Sequence, residues 1–92
     1  MSVVGVCEDE PALRSVLTRA LRAMGHEPIV VATAAEALRA FGRHRPAVLV
    51  LDIGLPDADG RDLCLALRAA GVDAPVLFLT ARDGTEDKGD RG

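Results

Sequence analysis

The stretch Val48-Leu49-Val50-Leu51-Asp52-Ile53-Gly54-Leu55-Pro56-Asp57-Ala58-Asp59-Gly60 decides the architecture of this chain. It opens inside an apolar run, Ala47–Leu51, that suits a strand covered on both faces, as in a parallel sheet. The run stops abruptly at an acid, Asp52. Gly54 to Gly60 then reads as a loop carrying Pro56 and several acids. A helix is expected from about Arg61 to Ala70, with Leu63, Leu67 and Ala70 on one face and Gly71 as its stop.

The same alternation extends in both directions. Upstream, Val3–Cys7 is a β-branched apolar run that ends in Glu8-Asp9-Glu10. Pro11 sits where a first helical turn tolerates it, and Leu13, Val16, Leu17, Ala20, Leu21 and Met24 recur at helical spacing before Gly25. Pro28–Val31 is a second short strand, and Thr33-Ala34-Ala35-Glu36 is a capping box for a helix carrying Ala37, Leu38 and Phe41. Downstream, Pro75–Leu79 is a fourth strand leading into Thr80-Ala81. The order β-α-β-α-β-α-β with short connections implies an α/β fold, a doubly wound parallel sheet with right-handed crossovers.

Composition narrows the function. The 92 residues are 49% apolar and 27% charged, which fits one small domain. The net charge of −3, with eleven basic residues scattered among acids, argues against direct nucleic-acid binding. No apolar run approaches the roughly 20 residues of a membrane helix, and the N-terminus reaches acids too early for a signal peptide. Cys7 and Cys64 lie in apolar segments without zinc-type spacing and read as buried free thiols of a reducing, cytoplasmic compartment. No Gly-x-Ser-x-Gly turn and no G-x-G-x-x-G after the first strand is present, so a serine hydrolase and a dinucleotide-binding half-domain are disfavoured.

In a doubly wound sheet, ligands bind beyond the carboxyl ends of the strands where strand order reverses. Glu8 and Asp9 follow the first strand, Asp52 the third and Thr80 the fourth. In the flavodoxin-like order the first and third strands are neighbours, which gathers Glu8, Asp9 and Asp52. Clustered carboxylates repel, and Mg²⁺, which prefers hard oxygen ligands and phosphate-completed shells, answers that repulsion. A simpler reading of any one acid is a helix cap, with Asp9 capping the first helix. Asp57, Asp59, Asp62 and Asp73 read as solvated or capping, and His26 and His44 as surface residues.

These stretches resemble the receiver domains of two-component response regulators. The resemblance is carried by Val3–Glu10, by Asp52, Leu55, Pro56 and Gly60 in D-x-x-L-P-x-x-x-G, and by Pro75–Arg82. It implies a CheY-like sheet of order 2-1-3-4 and Asp52 as acceptor of a phosphoryl group from a sensor histidine kinase. It further implies Mg²⁺ contacted directly by Asp9 and Asp52, by Glu8 through water, and by the carbonyl of Gly54. Thr80 matches the switch hydroxyl, and Ala81 a small residue that leaves room for the phosphoryl group. The Thr80–Asp83 run and Glu86-Asp87-Lys88 resemble regulators whose output is a winged-helix DNA-binding domain.

Residues 1–82 are expected to form a receiver lacking the usual last strand and helix, with 83–92 as a polar, flexible tail. Lys88 does not match the lysine that normally ends the fifth strand. The fourth strand would then be an open edge, and Leu13 and Leu17 would lie exposed, so a homo-oligomer joined at that strand or by exchanged elements is expected. DNA would be reached only through an output domain absent from this sequence. The alternative is a phosphorylation-independent dimerisation or interaction module.

Overall fold

Four apolar runs pair side by side because each is too apolar to face water and too short to bury itself alone. In the computed structural model, which describes residues 1–79, they are β1 (Val3–Cys7), β2 (Glu27–Val31), β3 (Val48–Asp52) and β4 (Val76–Leu79). Between them run α1 (Pro11–Ala23), α2 (Ala34–His44) and α3 (Gly60–Ala69). All pairings are parallel, as the chain's pattern implies, and the sheet order is β2-β1-β3-β4, as the resemblance implies. The register sets Cys7 opposite both Val31 and Leu51, and Asp52 opposite Leu79.

Right-handed crossovers in this order place α1 on one face and α2 with α3 on the other. The main core lies under α2 and α3, where Cys7, Leu49 and Leu51 of the sheet meet Ala37, Phe41, Leu63 and Leu67. Phe41 is fully buried, and Gly5 makes room for it. A Cβ on Gly5 would stand 2.8 Å from the Phe41 ring and 2.9 Å from Pro46. The face under α1 is thinner, and no residue of α1 is fully buried.

Helix ends follow their local chemistry. Pro11 opens α1, and Gly25 (φ 87°) ends it, donating to the Arg22 carbonyl while His26 donates to Leu21. Thr33 Oγ1 accepts from the Glu36 N–H at 3.2 Å. The Glu36 carboxylate reaches one residue further back than a strict capping box, accepting from Ala32 N–H at 2.9 Å.

Several boundaries and burials differ from the expectations drawn from pattern alone. β2 begins one residue earlier, because the Glu27 N–H donates to Ser2. Ala47 and Pro75 lie just outside their strands. Helix α3 starts at Gly60, since Asp59 caps it by accepting from Arg61 N–H, and ends at Ala69 with Ala70 exposed. Leu38 faces partly outward and Cys64 is only half-buried, while Leu13 and Leu17 are half-buried rather than exposed.

Gly5→Ala should test the fit between β1 and α2. Overpacking against Phe41 and Pro46 is expected to cost about 1–3 kcal/mol, read as a lowered midpoint in urea unfolding. Coupling with Phe41→Leu in a double-mutant cycle should show that the loss arises at this contact.

Candidate functional site: an acid cluster at the sheet edge

Because β1 and β3 are hydrogen-bonded neighbours, the residues that follow them emerge side by side. Glu8, Asp9 and Asp52 each present a carboxylate oxygen, and these oxygens all lie within 4.8 Å of one another. The buried character of the group sets it apart from an ordinary acidic surface. Glu8 is 1% exposed and Asp52 3% exposed, and these are the two buried charged residues among those described.

Backbone groups hold the cluster in place. Glu8 donates its N–H to Val31 and accepts Arg14 Nη1 on its carbonyl at 2.9 Å. Its side-chain Oε2 accepts from the Glu10 N–H at 2.8 Å, so the carboxylate is fixed over the start of α1. Asp52 Oδ1 accepts from the Gly54 N–H at 3.0 Å. The N-cap position of α1 is Glu10, and the Asp9 carboxylate lies within the cluster.

Gly60 explains part of the D-x-x-L-P-x-x-x-G pattern physically. Its N–H donates to the Ile53 carbonyl at 2.8 Å, and a Cβ there would overlap the Asp52 carbonyl oxygen. Only glycine lets the first turn of α3 approach the end of β3 this closely. Leu55, half a loop away, is buried in the core and anchors the same segment.

Asp57 has a role that pattern alone left open between solvation and capping. Its Oδ1 accepts from Ala34 N–H at 2.9 Å and its Oδ2 from Ala35 N–H at 3.1 Å. One exposed carboxylate thus caps α2 from a loop remote in the chain and ties that loop beside Asp52. These backbone donors hold its pKa below the ordinary carboxylate value. No sequence signal distinguishes Asp57 from its neighbour Asp59, which caps its own helix and binds Arg61 at 2.9 Å.

The donor set suits a hard divalent cation. Mg²⁺ takes hard oxygen ligands and usually keeps several waters, and here three carboxylate oxygens lie within 4.8 Å of one another. Burial first, then the acids Asp57, Asp52, Glu36 and Glu8, push the pKa of Cys7 up to about 12, so the thiol stays neutral. Cys7 donates to the Thr33 carbonyl at 3.4 Å. Both cysteines are free. His44 is exposed, and His26 Nδ1, half-buried, accepts from the Ser2 N–H at 3.3 Å. Thr80, Ala81, the polar tail and Lys88 lie outside the described residues.

The sequence matches the response regulator receiver domain family over residues 4–90. The transcriptional regulatory protein KdpE of Mycobacterium tuberculosis is 42% identical over 88 residues, spanning 96% of this chain and 38% of that protein. The fold superposes on the Thermotoga maritima response regulator TrrA in complex with Mg²⁺-BeF, with a TM-score of 0.79 and 28% identity over 85% of this chain and 68% of that one. A structure of the histidine kinase ThkA with TrrA gives a TM-score of 0.81 and 28% identity over 96% of this chain and 76% of the other. This chain belongs to the response regulator receiver domain family. It spans less than two fifths of the length of KdpE. No helix among the described residues is long and apolar enough to cross a membrane.

Asp57→Asn should lower the thermal midpoint at neutral pH by weakening the cap on α2. A carboxyl with a depressed folded pKa stabilises above its unfolded value, near about 4, and loses that contribution as pH falls through the folded value. Melting curves between neutral pH and about pH 3 should therefore converge for the two proteins at the acid end.

Proposed function

We propose that this chain is a phospho-acceptor switch in which Asp52 receives a phosphoryl group from a sensor histidine kinase. The observation that carries the reading is the convergence of Glu8, Asp9 and Asp52 at one sheet edge, two of them buried. Asp9, Asp52 and the Gly54 carbonyl would hold Mg²⁺ directly, with Glu8 acting through water. When bound, the cation offsets negative charge on the transferred oxygens.

In the transfer, a carboxylate oxygen of Asp52 attacks phosphorus while the bond from phosphorus to the donor nitrogen breaks. The bonding electron pair leaves with the donor imidazole. Gly54 N–H, already on Oδ1, orients the attacking carboxylate. The Thr80 hydroxyl then donates a hydrogen bond that exists only when the phosphoryl group is present, and Ala81 leaves space for it. Such a state-specific contact is what a two-state switch requires. The chain is then an acceptor rather than a turnover enzyme.

The kinase partner is supported by the ThkA–TrrA complex, and the cation by TrrA with Mg²⁺-BeF. Similarity to KdpE, a transcriptional regulatory protein, supports transcriptional output. That output would be delivered through an attached winged-helix domain rather than by this domain's own scattered charges. A cytoplasmic location agrees with the two free thiols. The phosphorylation-independent module is the weaker reading, because it leaves two buried carboxylates without a purpose. Self-association is compatible with either reading. β4 is an edge strand among the described residues, with Leu77 63% and Phe78 40% exposed, and pairing there would cover both.

Acetyl phosphate with Mg²⁺ should add one phosphoryl group to the wild type, seen by intact mass. Asp52→Ala or chelation of the metal should abolish the gain. An unmodified wild type under these conditions would sink the proposal. Light scattering at micromolar concentration checks the second point: association is expected, with Leu77→Lys shifting the protein toward monomer.

A further inference from the structure

A cleft of about 450 Å³ opens beside the outer edge of β2, between α1 and α2, and none of the three clustered acids lines it. Arg14 of α1 and Arg39, Arg43 and His44 of α2 line its walls, with Val30 and Ala40 on an apolar floor. Glu36 is the one acid in the lining, and its carboxylate already accepts the Ala32 N–H. Three guanidinium groups against one engaged carboxylate make a concentration of positive charge on a chain whose net charge is −3.

Ion pairing within the fold does not engage these cations. Among the described residues the ion pair is Arg61–Asp59, and none of the three cleft arginines takes part in one. Arg39 and Arg43 stand one turn apart on the same helix face and are exposed. Arg14 is half-buried and held by its bond to the Glu8 carbonyl, so one guanidinium is fixed in position before any ligand arrives. Guanidinium groups match phosphate geometry with paired hydrogen bonds.

The backbone of β2 argues against an added peptide strand as the occupant. Glu27 and Val31 bond to β1, so by alternation Pro28, Val30 and Ala32 face the open edge. Pro28 has no N–H and that of Ala32 is taken by Glu36, which leaves Val30 as the single outward donor. One donor cannot template a strand. The volume lies instead in the range of small-molecule sites.

We propose that this cleft binds a small organic phosphate, its phosphate on Arg39, Arg43 and Arg14 and its organic body over Val30 and Ala40. The assignment is independent of phosphorylation at Asp52. The test is a ¹H–¹⁵N NMR titration of the full chain in metal-free, low-salt buffer with adenosine 5′-monophosphate as probe. Inorganic phosphate and adenosine are the comparison ligands.

Adenosine 5′-monophosphate is expected to shift the amides of Val30, Val31, Ala40 and Arg43 saturably, and adenosine to leave them unmoved. Arg39→Ala/Arg43→Ala should weaken binding about tenfold or more. Both arginines are exposed, and preserved amide dispersion checks that the variant is folded. Asp52→Ala should bind the probe as the wild type does, which separates this site from the acceptor site. No saturable shift at millimolar probe, equal binding of adenosine, or unchanged affinity in the double variant would each overturn the assignment. Inorganic phosphate binding as tightly as the nucleotide would overturn the role given to the apolar floor.

Discussion

The parallel pairing of β1 with β3 is the constraint on which the rest of the structure depends. It makes β1 a central strand, bonded on both edges, and sets Cys7 beside Leu51. The next residue of each chain segment is an acid, so the same register that completes the apolar core also forces Glu8 against Asp52. Taking a carboxylate out of water costs several kcal/mol unless hydrogen bonds or an opposite charge compensate. The sheet tolerates that cost because Leu49, Leu51, Phe41, Leu63 and Leu67 close a continuous core directly beneath the site. The site is thus a partly buried acid cluster mounted on an apolar platform, with a donor set that suits a cation.

The loop after Asp52 is held from three directions, which matters for a residue proposed to react. Gly54 bonds to the Asp52 side chain, Gly60 to the Ile53 carbonyl, and Asp57 to the first turn of α2. The last contact makes α2 a shared element. Its N-terminus is capped by the loop beside Asp52, while its later turns carry Arg39 and Arg43 along the basic cleft. Arg14 is a second link, since it lines that cleft and bonds to the carbonyl of Glu8. Two regions of opposite charge therefore share a helix and a hydrogen bond, although they face different ligands.

Much of this was legible in the residues. Apolar runs announced the strands, two of them ended by acids, and Thr33 with Glu36 announced α2. The order 2-1-3-4 was implied by the resemblance to receiver domains, and that order in turn brought the three acids together. Periodicity was less informative about depth. Leu38 and Ala70 fall at apolar spacing yet lie outward, because burial depends on which neighbour covers a face and not on spacing alone.

By itself, then, the sequence determined the element order, the strand that ends at Asp52 and the acids that accompany it. Those features follow from local pattern and chain connectivity. Only the tertiary structure decided that Gly5 yields space to Phe41, that Gly60 must lack a side chain, that Asp57 caps α2, and that three arginines from two helices line one cleft beside β2. Each of those facts is a distance between residues remote in the chain. Side-chain type and spacing set what a residue can do, while close packing of distant segments sets what it touches.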